Sequence, residues 1–293
     1  MLRISSTIFV GLVVLAGACQ ASNDSNPPTR STTQPTVAPV DSVPASSRSE
    51  QAAAEADPTP DGQLVLEVVR EFPHDTDAWT QGYLIEQDRL FESTGDFQSS
   101  ESTLREVDPE TGEVLRSVNV GEPYFSEGIE QVGDRIYMIT WQDNTAFVFG
   151  RETFEVEETF TYQGEGWGLC LDDHDGNNRL VMSDGSETLT FRDPETFEAT
   201  STLQIDNDGS FRLNELECVD GFAYANVWTT NIIVRIDLET GEIASTIDAS
   251  ELKTRLGGAG NILNGIAYDE ASNTFLLTGK FWPSAFEVRF VPR

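Results

Sequence analysis

Lysine is almost absent from this chain of 293 residues: only Lys253 and Lys280 stand beside sixteen arginines. Histidine is as scarce, with His74 and His174 alone, too few for a His-rich metal centre. Positive charge as a whole is short, since 18 Lys+Arg face 50 Asp+Glu for a net charge of −32. A surface that acidic repels nucleic-acid phosphates and anionic headgroups, which excludes nucleic-acid binding and basic attachment to a membrane surface. Long hydrophobic runs are missing too; the apolar stretch Ile8 to Ala16 is too short to span a bilayer. Core-forming material is not short: 38% hydrophobic and 10% aromatic residues exclude global disorder.

Residues 1–19 read as an export signal, with Arg3 as the positive n-region, Ile8 to Ala16 as the apolar h-region and small residues before Cys19. Ala16-Gly17-Ala18-Cys19 is similar to a bacterial lipoprotein processing site, which makes Cys19 the lipidation candidate. Residues 20–61 contain seven Pro, seven Ser, five Thr and seven Ala, and no aromatic, Leu, Ile or Gly. Such a segment cannot build a core and is expected to be a disordered tether with a reach of roughly 35 Å. These readings place the protein outside the cytoplasm, in the cell envelope through a lipid anchor, or secreted or periplasmic if cleaved nearby. After residue 61 there remain 44 acidic and 15 basic residues, so the charge belongs to the folded domain, 62–293, where it serves solubility.

That domain is repetitive. The turn Asp108-Pro109-Glu110-Thr111-Gly112-Glu113 recurs as Arg151-Glu152-Thr153-Phe154-Glu155, Asp193-Pro194-Glu195-Thr196-Phe197-Glu198 and Asp237-Leu238-Glu239-Thr240-Gly241-Glu242, at intervals of 43, 42 and 44 residues. Each copy lies between short β-branched and aromatic runs, which is hairpin grammar. A second series, out of phase, runs Thr80-Gln81-Gly82, Ser126-Glu127-Gly128, Gly166-Trp167-Gly168, Leu213-Asn214-Glu215 and Leu263-Asn264-Gly265. A period near 46 over about 230 residues gives an all-β, five-bladed β-propeller with four antiparallel strands per blade. Leu64 to Phe72 is the N-terminal strand expected to close the ring, and Ala249 to Leu256 the only short helix. One tryptophan falls in each repeat: Trp79, Trp141, Trp167, Trp228 and Trp282.

The second series should converge at one end of the central channel. Its residues are unlike one another (Gln81, Glu127, Trp167, Asn214), whereas repeated packing tends to reuse similar residues. One active site shared by five blades needs such broken symmetry. The bland alternative is a wet, polar channel mouth.

The ordered set Trp79-Thr80-Gln81-Gly82, Phe91-Glu92-Ser93-Thr94-Gly95, Glu127-Gly128, Gly164-Glu165-Gly166-Trp167-Gly168-Leu169, Ser183-Asp184-Gly185-Ser186, Leu213-Asn214-Glu215-Leu216-Glu217, Ala225-Asn226-Val227-Trp228, Leu263-Asn264-Gly265-Ile266-Ala267 and Thr278-Gly279-Lys280-Phe281-Trp282-Pro283 resembles the plant and bacterial type of glutaminyl-peptide cyclotransferase. The resemblance spans residues 70 to 290. It implies a propeller that cyclises an N-terminal glutamine of a peptide or protein to pyroglutamate with release of ammonia. It also implies chemistry without catalytic zinc or any other metal or cofactor, apart from a structural cation some relatives could hold in the channel. Peptides or proteins beginning with Gln are then the partners, and the protein acts as a monomer.

By the same resemblance Glu127 takes the acid/base position, and Lys280 and Asn214 polarise the γ-carbonyl. Gln81 is a polar contact near the substrate N-terminus, and Trp167 and Trp228 are pocket walls that stack on the flat amide and offer an indole N–H to a carbonyl. A compact ammonium where every other basic position except Lys253 uses Arg agrees with a special role for Lys280. Trp79, Trp141 and Trp282 are read as core. Two departures stand out: the acidic stretch Asp96-Phe97-Gln98-Ser99-Ser100-Glu101-Ser102, which bears on the accepted second residue of the substrate, and Ser126 in place of Gly. Cys170 and Cys218 are expected as two buried free thiols, with a disulfide as the alternative. Other functions left open are a non-catalytic propeller lipoprotein that binds peptides or acts as an envelope scaffold, and a lactonase, which would ask for a metal cage of carboxylates and Asn at the channel.

Overall fold

A computed structural model describes residues 63–95, 101–206, 209 and 211–293. The export signal, the tether, Cys19 and Asp96 to Ser100 lie outside these residues. Among the described residues the sequence alternation produces five four-stranded antiparallel sheets. Blade I is β2 (Thr80–Glu86), β3 (Arg89–Thr94), β4 (Thr103–Val107) and β5 (Val114–Asn119). Blade II is β6 (Ser126–Val132), β7 (Arg135–Thr140), β8 (Thr145–Gly150) and β9 (Val156–Thr161). Blade III comprises β10 (Leu169–Asp172), β11 (Arg179–Met182), β12 (Thr188–Arg192) and β13 (Ala199–Gln204). Blade IV comprises β14 (Leu213–Val219), β15 (Phe222–Val227), β16 (Ile232–Asp237) and β17 (Ile243–Asp248). Blade V is β18 (Leu263–Asp269), β19 (Thr274–Gly279) and β20 (Ser284–Pro292), completed by β1 (Leu64–Pro73).

The closing strand is therefore where the sequence puts it: β1 runs antiparallel to β20, from Leu64 opposite Pro292 to Pro73 opposite Ser284. The pairing completes blade V with a strand from the opposite end of the domain and so latches the ring shut. The one α-helix among the described residues, α1 (Ser250–Arg255), is the short helix expected there.

Turn chemistry sets the hairpins. In blades I and IV the first and second strands are joined by Gln87-Asp88 and Asp220-Gly221, with all four φ values positive, as a type I′ turn requires. The repeated turn joins the third and fourth strands. The Oδ1 of Asp108, Asp193 and Asp237 each accepts backbone N–H groups from the residues two and three positions on, at 2.8–3.0 Å. The residue four positions on is left-handed: Gly112, Phe197 and Gly241. In blade II the equivalent place belongs to Gly150, one residue before the expected Arg151, and its left-handed residue is Phe154. A phenylalanine is strained in that region, but Phe154 and Phe197 are buried, and full burial of such a ring gains about 1.5–3 kcal/mol.

Five apolar clusters fill the spaces between successive blades, for example Leu84, Phe91 and Leu104 of blade I against Ile129, Met138 and Phe149 of blade II. The fifth joins Tyr83, Leu90 and Val107 of blade I to Ala267 and Leu276 of blade V, so the ring is packed all the way round. Cys170 on β10 and Cys218 on β14 form a disulfide, with Cα atoms 5.4 Å apart, which overturns the expectation of free thiols. Innermost strands of neighbouring blades run side by side, a proximity that a sequence separation of 48 does not reveal.

Candidate active site

Four of the five innermost strands begin with an irregularity. The ladder shifts register between Thr80 and Gly82, Ser126 and Ile129, Leu213 and Leu216, and Leu263 and Ile266. A β-bulge of this kind turns a side chain away from the regular alternation. The residues inside these four bulges include Gln81, Glu127, Asn214 and Asn264, and Trp167 occupies the matching place just before β10. The second periodic series of the sequence thus consists of four bulges and the Trp167 segment before β10, around one channel mouth.

Glycine lets the bulges meet. A Cβ on Gly82 would lie 2.6 Å from Ile129 N, on Gly128 2.6 Å from Leu169 N, and on Gly168 2.2 Å from Asn214 O. Blade IV breaks the series with Glu215, whose buried carboxylate accepts the backbone N–H of Tyr83 in blade I at 3.1 Å and of Ile266 in blade V at 2.8 Å. Side chains on second strands, or one residue beyond them, hold the bulges in place. Ser93 Oγ donates to Glu127 O, Ser183 Oγ donates to Asn214 O, and Asn226 Oδ1 accepts from Gly265 N.

Above the bulges lies a cavity of about 180 Å³. It is lined by Gln81, Glu127, Asn214, Lys280, Trp167 and Trp228, so all six site residues named from the sequence converge on it, and Phe125, Trp79 and Trp141 complete the wall. Trp79 and Trp141 were expected in the core and are instead half-buried at the cavity; only Trp282 keeps the core role, fully buried against Phe286. A tryptophan at a strand end reads alike in sequence whether it faces the core or the channel mouth.

Electrostatics set this cavity apart. Glu127 is buried, and that burial pushes its carboxyl well above the ordinary range; the Lys280 charge opposes the shift and Glu165 adds to it. Burial lowers the Lys280 ammonium to about 8, against the pull of Glu127. Gln81 Nε2 donates to Glu127 Oε1 at 3.0 Å, and Asn264 Nδ2 lies 3.3 Å from Gln81 Oε1. This chain fixes the Gln81 amide with its NH₂ toward Glu127. Lys280 Nζ sits 5.5 Å from the centre of the Trp79 ring. Its backbone is braced by the other lysine: Lys253 Nζ donates to the carbonyls of Ala259, Gly260 and Asn261 at 2.8 Å, and Asn261 N donates to Lys280 O at 2.7 Å.

Trp167 and Trp228 pack edge to face with centroids 5.6 Å apart, and Arg212 stacks on both. The Trp167 indole N–H donates to Glu165 Oε2 at 3.0 Å. Asn264 and Glu165 were missed as contributors. The signals were present, since Leu263-Asn264-Gly265 belongs to the ring series and Glu165 lies inside Gly164-Glu165-Gly166-Trp167.

Along the inner strands themselves, Glu130, Glu215 and Glu217 are turned to backbone donors: Leu171 N, Tyr83 and Ile266 N, and Tyr268 N respectively. Burial raises all three carboxyls, Glu130 to about 8. Among the described residues no group of three or more His, Cys, Asp or Glu side chains is gathered to hold a metal ion.

A family model described as glutamine cyclotransferase matches residues 41–290. The chain is 37% identical over 232 residues to a glutaminyl-peptide cyclotransferase of Arabidopsis thaliana, covering 76% of this chain and 71% of the relative. It is also similar to the crystal structure of Myxococcus xanthus glutaminyl cyclase, at 38% identity and a TM-score of 0.71, over 78% of this chain and 99% of that one. Fold, channel-mouth ring and similarity agree over the same residues, and the chain belongs to the glutamine cyclotransferase family.

Proposed function

We propose that this protein is a glutaminyl-peptide cyclotransferase that converts an N-terminal glutamine to pyroglutamate and releases ammonia, with Glu127, Lys280 and Asn214 as its catalytic residues. The observation that carries the reading is the pairing of one buried carboxyl with one buried ammonium in a small cavity walled by tryptophans. A surface that merely bound peptides would have no use for so desolvated an acid and base.

The α-amine attacks the γ-carboxamide carbon, forming the ring C–N bond, and the tetrahedral intermediate expels NH₃. Closing a five-membered ring already supplies proximity, so the protein folds the substrate into attack geometry, moves a proton and steadies an oxyanion. Glu127 takes the proton from the attacking nitrogen and returns it to the leaving one. Its raised proton affinity brings it toward that of an α-amino group, so transfer in either direction is less uphill. Lys280 and the Asn214 amide NH₂ donate to the oxygen that gains charge, and the surrounding indoles exclude water. These residues cover every role in the reaction, which makes the chemistry metal-independent in this proposal.

Incubating the purified chain with peptides beginning in Gln, and following ammonia release and the matching loss of peptide mass, tests the activity. Turnover that is reduced in Glu127→Gln and survives a chelator is the expected result; absence of turnover across varied Gln-peptides would reject it. We further propose that the chain is exported and anchored through Cys19 and works as a monomer. The intact mass of the mature protein and its size in solution check these two points.

A further inference from the structure

We propose that Glu165 is a positioning residue for the substrate pocket, one carboxylate that holds the indoles of two pocket tryptophans in the orientation that receives the glutamine amide. The inference rests on the cyclotransferase reading of the same pocket.

Glu165 Oε2 accepts the indole N–H of Trp141 at 2.8 Å and of Trp167 at 3.0 Å, and its other oxygen accepts Gln142 Nε2 at 2.9 Å. The two indoles come from different blades, so the carboxylate ties the wall together across a blade boundary. The loop that carries it is itself anchored to blade II: Gly166 N donates to Trp141 O at 3.0 Å, and Asn144 Nδ2 donates to Gly164 O at 2.8 Å. Gly166 is required there, because a Cβ would lie 2.4 Å from Tyr162 Oη and 2.9 Å from Thr140 O. Opposite, Arg212 stacks on Trp167 and Trp228, with its guanidinium carbon 4.9 and 4.4 Å from the ring centres, and its charge favours an ionised Glu165. Hydrogen bonds to an ionised acceptor are stronger and more directional than neutral ones. Two such bonds aimed at the N–H edges of flat rings fix the tilt of both, and ring tilt decides whether a planar amide can stack.

Glu165→Gln keeps the size of the side chain but leaves one neutral acceptor oxygen and converts the other to a donor. The expected result is a KM for a Gln-peptide raised by roughly tenfold, from the weakening of charged hydrogen bonds, with kcat within about twofold. The independent readout is the set of indole N–H resonances in ¹⁵N-labelled full-length protein: the two assigned through Trp141→Phe and Trp167→Phe should move in Glu165→Gln while the other three stay. Glu165→Asp, whose shorter reach cannot hold both rings equally, should fall between. A folded Glu165→Gln protein with both resonances unmoved, or with KM unchanged, overturns the proposal. Should the wild-type protein turn over no Gln-peptide at all, the activity reading fails alone, and the indole resonances still decide whether Glu165 orders the wall.

Discussion

Glu127 and Lys280 face the same small cavity, and desolvation drives each toward its neutral form more than their mutual attraction holds them charged. Two pH limits follow. Glu127 has to be ionised to take the proton, so the acid limb of kcat/KM should lie above the ordinary carboxylate range. Lys280 has to be protonated to donate to the oxyanion, so the alkaline limb should lie near 8. Lys280→Arg keeps a cation that does not titrate in this range; its alkaline limb should move upward even as kcat falls, which a pH-rate profile will show. Glu127→Gln should lower kcat by roughly 10² to 10⁴-fold, the usual contribution of general acid–base catalysis, at unchanged melting temperature. The sequence pointed to both as cavity residues, Lys280 through the rarity of lysine together with the family resemblance and Glu127 through that resemblance, and the two line one cavity. Trp79 and Trp141 were not legible in this way, since nothing in their neighbours distinguishes a core indole from one at a channel mouth.

The inner strands work through what their glycines omit. Gly168 is the tightest point of the ring, and a methyl there would meet the backbone oxygen of the residue whose side chain is to polarise the substrate. Gly168→Ala should therefore cost about 1–3 kcal/mol through overpacking and also lower kcat by shifting Asn214. Gly133→Ala, where a Cβ meets nothing within 4 Å, should cost only the left-handed backbone penalty, about 1 kcal/mol, with kcat unchanged. Denaturant melts and steady-state kinetics of the pair separate the two effects. Strands β10 and β14 are also clamped by the Cys170–Cys218 bridge; with the cysteines 48 positions apart, reducing it should lower stability by up to about 4 kcal/mol on the loop-entropy model. The hairpin turns were readable because their chemistry is local: an aspartate, two N–H groups and a left-handed residue. The bulges and the bridge were not, because each depends on how closely a neighbouring blade approaches.

At the level of the whole ring, blades V and I meet over a buried ionic network. His74 Nδ1 lies 2.7 Å from Trp282 O and its Nε2 3.1 Å from Glu92 Oε1; both partners only accept, so both ring nitrogens carry protons. Burial opposes that charge, but Glu92 overcomes it and raises the imidazole above its ordinary value. Burial likewise opposes the Glu92 charge, yet His74 and Arg105 bring the carboxyl down to about 2. The signs give two windows. The Glu92 contribution, roughly 3 kcal/mol, is present above pH 4.5 and is lost as pH falls toward 2. The His74 contribution is complete below pH 6.5 and fades as pH rises through its elevated value. The gap in melting temperature between wild type and His74→Gln should accordingly narrow from pH 6 to alkaline pH. The five-blade count, the closing strand and the acidic domain were all legible in the sequence; the network was not, since its members come from four separate segments. Closure through β1 and β20 has one more consequence. Arg293 N donates to Gln63 O at 3.1 Å and Arg293 Nη1 to Gln63 Oε1 at 3.0 Å, so the two ends of the ring are hydrogen-bonded neighbours. Blade order along the chain is thus a matter of where the circle happens to be cut: a circular permutant that joins these ends and opens at the exposed Asp108–Glu113 turn would carry the same channel mouth, assembled from a different first residue.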